Sequence, residues 1–224
     1  MPRQYFCDEY QADVAAVVAG ALARFAGYGI ELVEADIPDI QAAHEAANFP
    51  VLLYEALPDL DGYLEGSGLD ARAVIAQLGS QNVREILEPL LGKGAIPESV
   101  YRLALEKHRP RLQAIYRDYF SENGLAAAIY PTTPIVAEPI DPDQHGFANG
   151  VTAPAFQKFD RNVSPSSSAG IPSLSLPAGL TGDGLPVGVT LDGPEGTDDF
   201  LLAIGLALEA REPALPAPPM TVPT

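Results

Sequence analysis

The sequence predicts a mixed α/β layered domain, in which a mixed sheet is flanked by helices. Three observations carry this reading. An amphipathic helix runs straight into a short β-branched segment within residues 13–34, and a long helix closed by glycine precedes an apolar strand at 125–130. Two short strands then meet at a Gly-rich turn before a last helix at 174–210. A chain of 224 residues suffices for a buried core in one large domain or two small ones.

Taken in order, Val14, Val17, Val18, Ala21, Leu22 and Phe25 recur at spacings of three and four, which predicts a helix from Asp13, its expected cap, to Ala26. Gly27 and Gly29 stop it, and Ile30–Glu34 reads as a short strand before Pro38. Residues 39–65 read as a helical hairpin or a helix broken near Pro50 and Pro58, because an internal proline removes a donor and clashes with the preceding turn. Short helices are expected at 70–78 and 81–91, with a loop at 92–96.

The longest predicted helix begins at Pro97 and ends near Phe120, with Val100, Leu103, Ala104, Leu112, Ile115 and Tyr119 as its stripe and Pro110 as a kink. Gly124 supplies a left-handed end, and Leu125–Tyr130 reads as a buried strand. Residues 131–172 lack periodicity and predict long irregular loops. Strands follow at 174–177 and 187–191, joined by the turn 178–186, and Thr197 or Asp198 caps a helix to Ala210. Residues 212–224 form a Pro-rich, semi-extended tail.

Composition narrows function. The formal net charge of −17 disfavours nucleic acid and anionic membrane surfaces as partners. Cys7 is the single cysteine, which excludes an internal disulfide and a thiolate metal cluster. No apolar run approaches the roughly 18 residues of a spanning helix, and the first residues lack a secretory pattern, so a cytoplasmic protein is expected.

None of His44, His108 and His145 has a ligand-spaced partner, so no metal or other cofactor is expected. His44 and His108 read as solvated helix positions; His145 sits in a predicted loop. The run Ser164–Ser168 lacks the Gly-x-Ser-x-Gly elbow of a nucleophile and reads as a cap and turn, with a Ser-Lys pair to Lys158 as a weaker alternative. The glycines of 179–188 fit a hairpin turn and neither phosphate-cradling pattern. Asp198-Asp199 and Asp59/Asp61 read as helix-start and surface residues.

The stretch AGIPSLSLPAGLTGDGLPVGVTLDGPEGTDDFLLAIGLALE at 169–209 resembles the C-terminal signature of the amidase signature family. Ile129-Tyr-Pro-Thr-Thr-Pro134 resembles the strand and loop before that family's pocket, and Asn162 with Gly170 its Asn-to-Gly-x-Pro approach. The opening Pro2–Phe6 and Ile30–Glu34 resemble the middle of such enzymes, above all the indoleacetamide and mandelamide hydrolase branch. The resemblance implies the C-terminal part of the amidase signature fold over residues 1–211, with 212–224 as an added tail. It also implies hydrolysis of a carboxamide to acid and ammonia by a serine nucleophile, a bridging serine and a lysine base.

The segments that hold those three residues do not occur in the sequence. Lys93, Lys107 and Lys158 stand in other contexts, and no Gly-Ser-Ser-Gly loop exists, so no catalytic residue is assigned. By resemblance, Thr132, Thr133 and Pro134 border the acyl pocket, Asn162 precedes the Gly-x-Pro segment, and Phe156 and Phe159 add apolar lining. Gly170, Pro172, Pro177, Gly179 and Gly188 read as structural. The implied partners are a small amide substrate and either a separate N-terminal amidase half or a second copy. A partial amidase predicts an incomplete sheet with exposed apolar surface; a non-catalytic binding or assembly module predicts a closed monomer or symmetric homodimer.

Overall fold

A computed structural model describes the backbone of residues 1–139, 145–148 and 151–217 and the side chains of 1–139 and 157–217. The elements are α1 (Ala12–Gly27), α2 (Ile40–Leu64), α3 (Ala71–Ile75), α4 (Gln81–Leu87), α5 (Glu98–Leu103), α6 (Arg109–Asn123), β1 (Ala128–Pro131), β2 (His145–Ala148), β3 (Val151–Pro154), α7 (Ala155–Asp160), α8 (Ser164–Ala169), β4 (Ser173–Leu180), β5 (Pro186–Asp192) and α9 (Asp198–Glu209). Strands β1, β5 and β4 form an antiparallel sheet in that order, and β2 pairs with β3 in a separate hairpin.

Alternation along the strands separates two cores. Ile129, Val187, Val189 and Leu191 face Val14, Val18, Ala21 and Phe25 of α1 and Leu201 and Leu208 of α9. On the opposite face, Ala128 and Tyr130 meet Phe6, Ile37, Ile40, Leu112, Tyr116 and Phe120. The expected combination of helices with a flanked sheet is therefore observed, the sheet being small, three-stranded and antiparallel.

Several expectations are corrected. Ile30–Glu34 is not a strand; its backbone partner is Met1, whose amino group donates to the Val33 carbonyl at 2.6 Å and whose carbonyl accepts from Ala35 at 3.3 Å. Two such bonds tie the segment down without building a ladder. The helix α2 is one unbroken element of 25 residues with Pro50 and Pro58 inside it. Tertiary contacts hold it: Tyr54 stacks on Tyr101 at 4.0 Å, and the Tyr101 hydroxyl donates to Glu55 at 2.6 Å.

Asp13 lies in the first turn of α1 and Gln11 takes the cap position. At α9 the cap position is Thr197, whose hydroxyl donates to the Pro194 carbonyl at 2.7 Å and makes no cap bond. The 97–120 helix is divided by a π turn at Ala104–His108 just before Pro110. A proline ring clashes with the carbonyl four residues earlier, and the wider turn relieves that contact. One extra residue also rotates the buried face by about 100°. Val100 and Leu103 are consequently exposed, whereas Leu112, Tyr116, Tyr119 and Phe120 are buried. Gly124 closes α6 at φ 59°, as expected.

The region 131–172 is more regular than its composition suggests, holding β2, β3, α7 and α8. Helix α8 is a serine-rich turn of chain held from both sides. Asn48 of α2 bonds the Ser164 and Ser168 hydroxyls at 3.1 Å each, and Gln113 of α6 donates to the Ala169 carbonyl at 2.9 Å. His44, one turn before Asn48, is buried rather than solvated. The β4–β5 turn is shorter than expected, spanning 181–185 with Thr181 bonded to Leu185. Glu212, first residue of the predicted tail, is clamped by Arg24 at 2.6 Å and by the Tyr28 hydroxyl at 3.0 Å. No helix among the described residues is long and apolar enough to cross a membrane.

Candidate functional site

The polar face of the sheet carries the candidate site. Register places Tyr130, Thr190 and Ser175 side by side across β1, β5 and β4, and Ala128, Asp192 and Ser173 in the next row. Thr132 follows β1, and its amide donates to the Gly188 carbonyl at 3.0 Å. The Thr190 hydroxyl donates to Thr132 Oγ1 at 2.9 Å, and Thr132 Oγ1 lies 2.8 Å from Ser175 Oγ. Three hydroxyls thus form one hydrogen-bonded row, buried at Thr190 and open to solvent at Ser175.

Gly188 makes the row possible. A Cβ there would fall 2.9 Å from Thr132 Oγ1 and 3.1 Å from Ser175 Oγ. Asn162 secures the same loop from below: its side-chain amide donates to the carbonyls of Pro131 at 2.6 Å and Phe6 at 3.0 Å. Thr133 donates to the Ile135 carbonyl at 2.8 Å, and the buried Pro134 accepts from the Gln11 amide at 2.8 Å. Thr132, Thr133, Pro134 and Asn162 therefore come together around one loop. Within it Thr132 and Thr133 are half-buried, and Asn162 is wholly buried beneath. Phe159 is half-buried on α7; the side chain of Phe156 and that of His145 lie outside the described residues.

Asp192 and Tyr130 were not singled out by the sequence reading. The Tyr130 hydroxyl donates to Asp192 Oδ2 at 2.5 Å, and both residues are buried. Burial pushes the Asp192 carboxyl up to about 6, partly offset by the hydrogen bond from Tyr130 and by the nearby Ser173 and Ser166 hydroxyls. Asp192 Oδ1 has no hydrogen bond of normal geometry. Burial, and then the Asp192 charge, hold the Tyr130 phenol well above its ordinary range. The signal was present in sequence as Thr-x-Asp inside an otherwise apolar strand, two polar side chains at the alternation that points away from the α1 core.

The serine run offers no activated nucleophile. Ser164 and Ser168 are bonded to Asn48, and the buried Ser166 donates to the Val163 carbonyl at 3.2 Å. Lys158 is buried beside Glu9 at 3.9 Å, a carboxylate that Arg161 also holds at 2.6 Å. Among the described residues no cluster of three or more His, Cys, Asp or Glu is placed to hold a metal ion. An apolar crevice of about 340 Å³ between α1, β4 and α9, lined by Phe25, Leu176, Ala178 and Leu208, opens on the sheet face opposite the hydroxyl row.

Comparison with known proteins places the chain in a family. The chain is 41% identical over 211 residues to an indoleacetamide hydrolase of Allorhizobium ampelinum, covering 93% of this chain and 46% of that protein. It is 31% identical over 202 residues to a mandelamide hydrolase of Pseudomonas putida, covering 85% of this chain and 39% of that protein. A crystal structure of an amidase superimposes with a TM-score of 0.73 at 25% identity, over 94% of this chain and 44% of that one. The chain thus spans less than half the length of the relatives it matches. The family description "Amidase" matches residues 1–202, and the chain belongs to that family.

Proposed function

We propose that this chain is the C-terminal portion of an amidase that hydrolyses a carboxamide of the aryl-acetamide type to a carboxylic acid and ammonia, with the Ser-Ser-Lys catalytic half outside this chain. The observation that carries the reading is the 41% identity to an indoleacetamide hydrolase along almost the whole chain. The loop at Thr132–Pro134, held by Asn162 and Gly188, then forms the rim of the acyl pocket, and Phe159 supplies apolar lining. In that role Thr132 presents a hydroxyl fixed by two neighbours, so it orients a polar group of the substrate without having to be ordered on binding. Support for incompleteness comes from the exposed Leu202 and Leu206 on α9 and from the short sheet, since a closed non-catalytic module would cover such surface.

The test is reconstitution. The chain is mixed with the N-terminal part of the Allorhizobium ampelinum indoleacetamide hydrolase that it does not match, and ammonia release from indole-3-acetamide is followed. The pair is expected to release ammonia, and Thr132→Val is expected to slow release about tenfold or more through loss of one oriented hydroxyl contact. A stable pair that releases no ammonia from any aryl amide overturns the proposal.

A further inference from the structure

We propose that the pocket between α3, α4 and the turn at 88–93 binds a small organic anion, a carboxylate or phosphate that carries an apolar body. The site goes beyond the amidase reading and shares no residue with the hydroxyl row. One continuous stretch, Arg72 to Lys93, supplies its whole wall: a cavity of about 390 Å³ faced by Arg72, Arg84 and Lys93 and by Ile75, Pro89 and Leu91. Uncompensated positive charge is unusual in this chain. Aspartate and glutamate outnumber lysine and arginine by 30 to 13, and Arg3, Arg24, Arg102, Arg111 and Arg161 each hold a carboxylate. Arg72, Arg84 and Lys93 hold none among the described residues. The carboxylates nearest in sequence are spent elsewhere: Asp61 accepts from the Ala71 amide and Asp70 from the Ala73 amide, both at 2.7 Å, and Glu85 accepts from the Gln81 side chain at 2.8 Å. Glu88 stands exposed on the wall and pairs with none of the three. Like charges gathered in one pocket repel each other, and a bound anion relieves that repulsion.

Ordered backbone carries each cation. Arg84 donates from Nη2 to the Leu78 carbonyl, and its Nε is buried with no partner, a donor left for a ligand. Lys93 rides a tight turn in which the Gly92 and Gly94 amides both donate to the Pro89 carbonyl, at 3.1 and 3.0 Å. Glycine is required at 94, because a Cβ there would fall 2.7 Å from the Pro89 Cβ. Arg72 sits on α3, whose first turn is capped by the Asp70 side chain. Guanidinium groups offer paired N–H donors that match the oxygens of a carboxylate or phosphate, and the lysine adds a point charge. Ile75, Pro89 and Leu91 give the same pocket an apolar side, which an inorganic ion leaves uncovered and an organic anion fills.

Titration of the full chain, followed residue by residue through its amide resonances at constant low ionic strength, tests this with phenylacetate, phenylacetamide and inorganic phosphate as probes. Phenylacetate is expected to shift the amides of 72–94 saturably with a Kd of about 1 mM or tighter. Phenylacetamide, the same ring without the charge, and inorganic phosphate, the charge without the ring, are each expected to bind at least about tenfold more weakly. Lys93→Gln changes an exposed side chain and is expected to weaken phenylacetate about threefold or more, with the remaining resonances unmoved. Arg84→Gln is expected to cost more, but it also gives up the Leu78 bond, so Lys93→Gln decides. Equal binding of the amide, saturable shifts outside 72–94, or an unweakened Lys93→Gln overturns the proposal, as does the absence of any saturable shift. Phosphate that binds as tightly as phenylacetate overturns the organic ligand. Shifts that vanish in a one-to-one complex with the N-terminal hydrolase part show that the cations await a carboxylate of that part, and overturn the site. None of these results touches the amidase reading, which stands or falls on ammonia release.

Discussion

Two buried groups titrate in opposite senses, and each gives a prediction. Asp192 is held at about 6 against an ordinary value of 3.8, so between those values the folded chain keeps a proton that the unfolded chain loses. Its contribution is fully present below pH 3.8 and is lost as pH rises through 6, by about 3 kcal/mol in all. Asp192→Asn, which keeps an acceptor for Tyr130, is expected to flatten that fall in urea denaturation at pH 4 to 7; an unchanged slope contradicts the assignment. His44 behaves in reverse. Burial lowers its pKa below 6.5, and neither ring nitrogen has a partner, so stability is lost as pH falls below 6.5 and the unfolded chain takes up the proton first. Glu45 and Asp160 oppose this by favouring the charged ring. His44→Leu is expected to raise the midpoint of denaturation below pH 6 more than at pH 8, and an equal shift at both contradicts the burial argument. Gly188→Ala probes the hydroxyl row: the added methyl group has no room beside Thr132 and Ser175, and a loss of about 1–3 kcal/mol is expected. A neutral result shows that the row yields.

At the scale of elements, α2 is the departure from propensity. Pro58 is exposed and leaves one carbonyl of an earlier turn without its intrahelical donor, so Pro58→Ala is expected to stabilise the chain by on the order of 1–3 kcal/mol, less whatever the more flexible unfolded chain recovers. Circular dichroism during denaturation checks it, and a destabilised variant means the proline is doing packing work. The same helix shows why sequence reading stops where it does. Turn and cap signals mark the β4–β5 hairpin and α9, and apolar periodicity marks α1, whose Val14, Val18, Ala21 and Phe25 pack on one face of the sheet. It failed at α2 and α8, where polar contacts at long range, Tyr101 to Glu55 and Asn48 to Ser164 and Ser168, stabilise segments whose local preference is to break. Periodicity also failed before the π turn, at Val100 and Leu103, since an inserted residue puts the stripe on its two sides out of phase. In the candidate site, the Thr132–Pro134 loop was legible through resemblance. Asp192, Tyr130, Thr190 and Ser175 were not, because their meeting depends on the register of three strands that sequence alone does not align.

For the whole molecule, the net charge of −17 sets the behaviour in salt. Self-repulsion of a chain this acidic is screened by salt, so thermal stability is expected to rise between about 10 mM and about 500 mM sodium chloride, where the Debye length falls from about 30 Å to a few ångströms. A midpoint independent of salt contradicts a repulsive surface. Strands β1 and β5, Asn162 and the Thr132 hydroxyl hold the loop proposed above as the pocket rim, whereas Ser164 and Ser168 are bonded to Asn48 and Lys158 lies beside Glu9. The central claim is therefore that the reacting groups are not in this chain. The most direct test is ammonia release from indole-3-acetamide by the purified chain alone, beside the variant with Ser164, Ser166, Ser167 and Ser168 all replaced by alanine. No ammonia above the buffer rate from either protein is the predicted result; turnover by the unmodified chain that the alanine variant loses places a nucleophile in the serine run and contradicts the account.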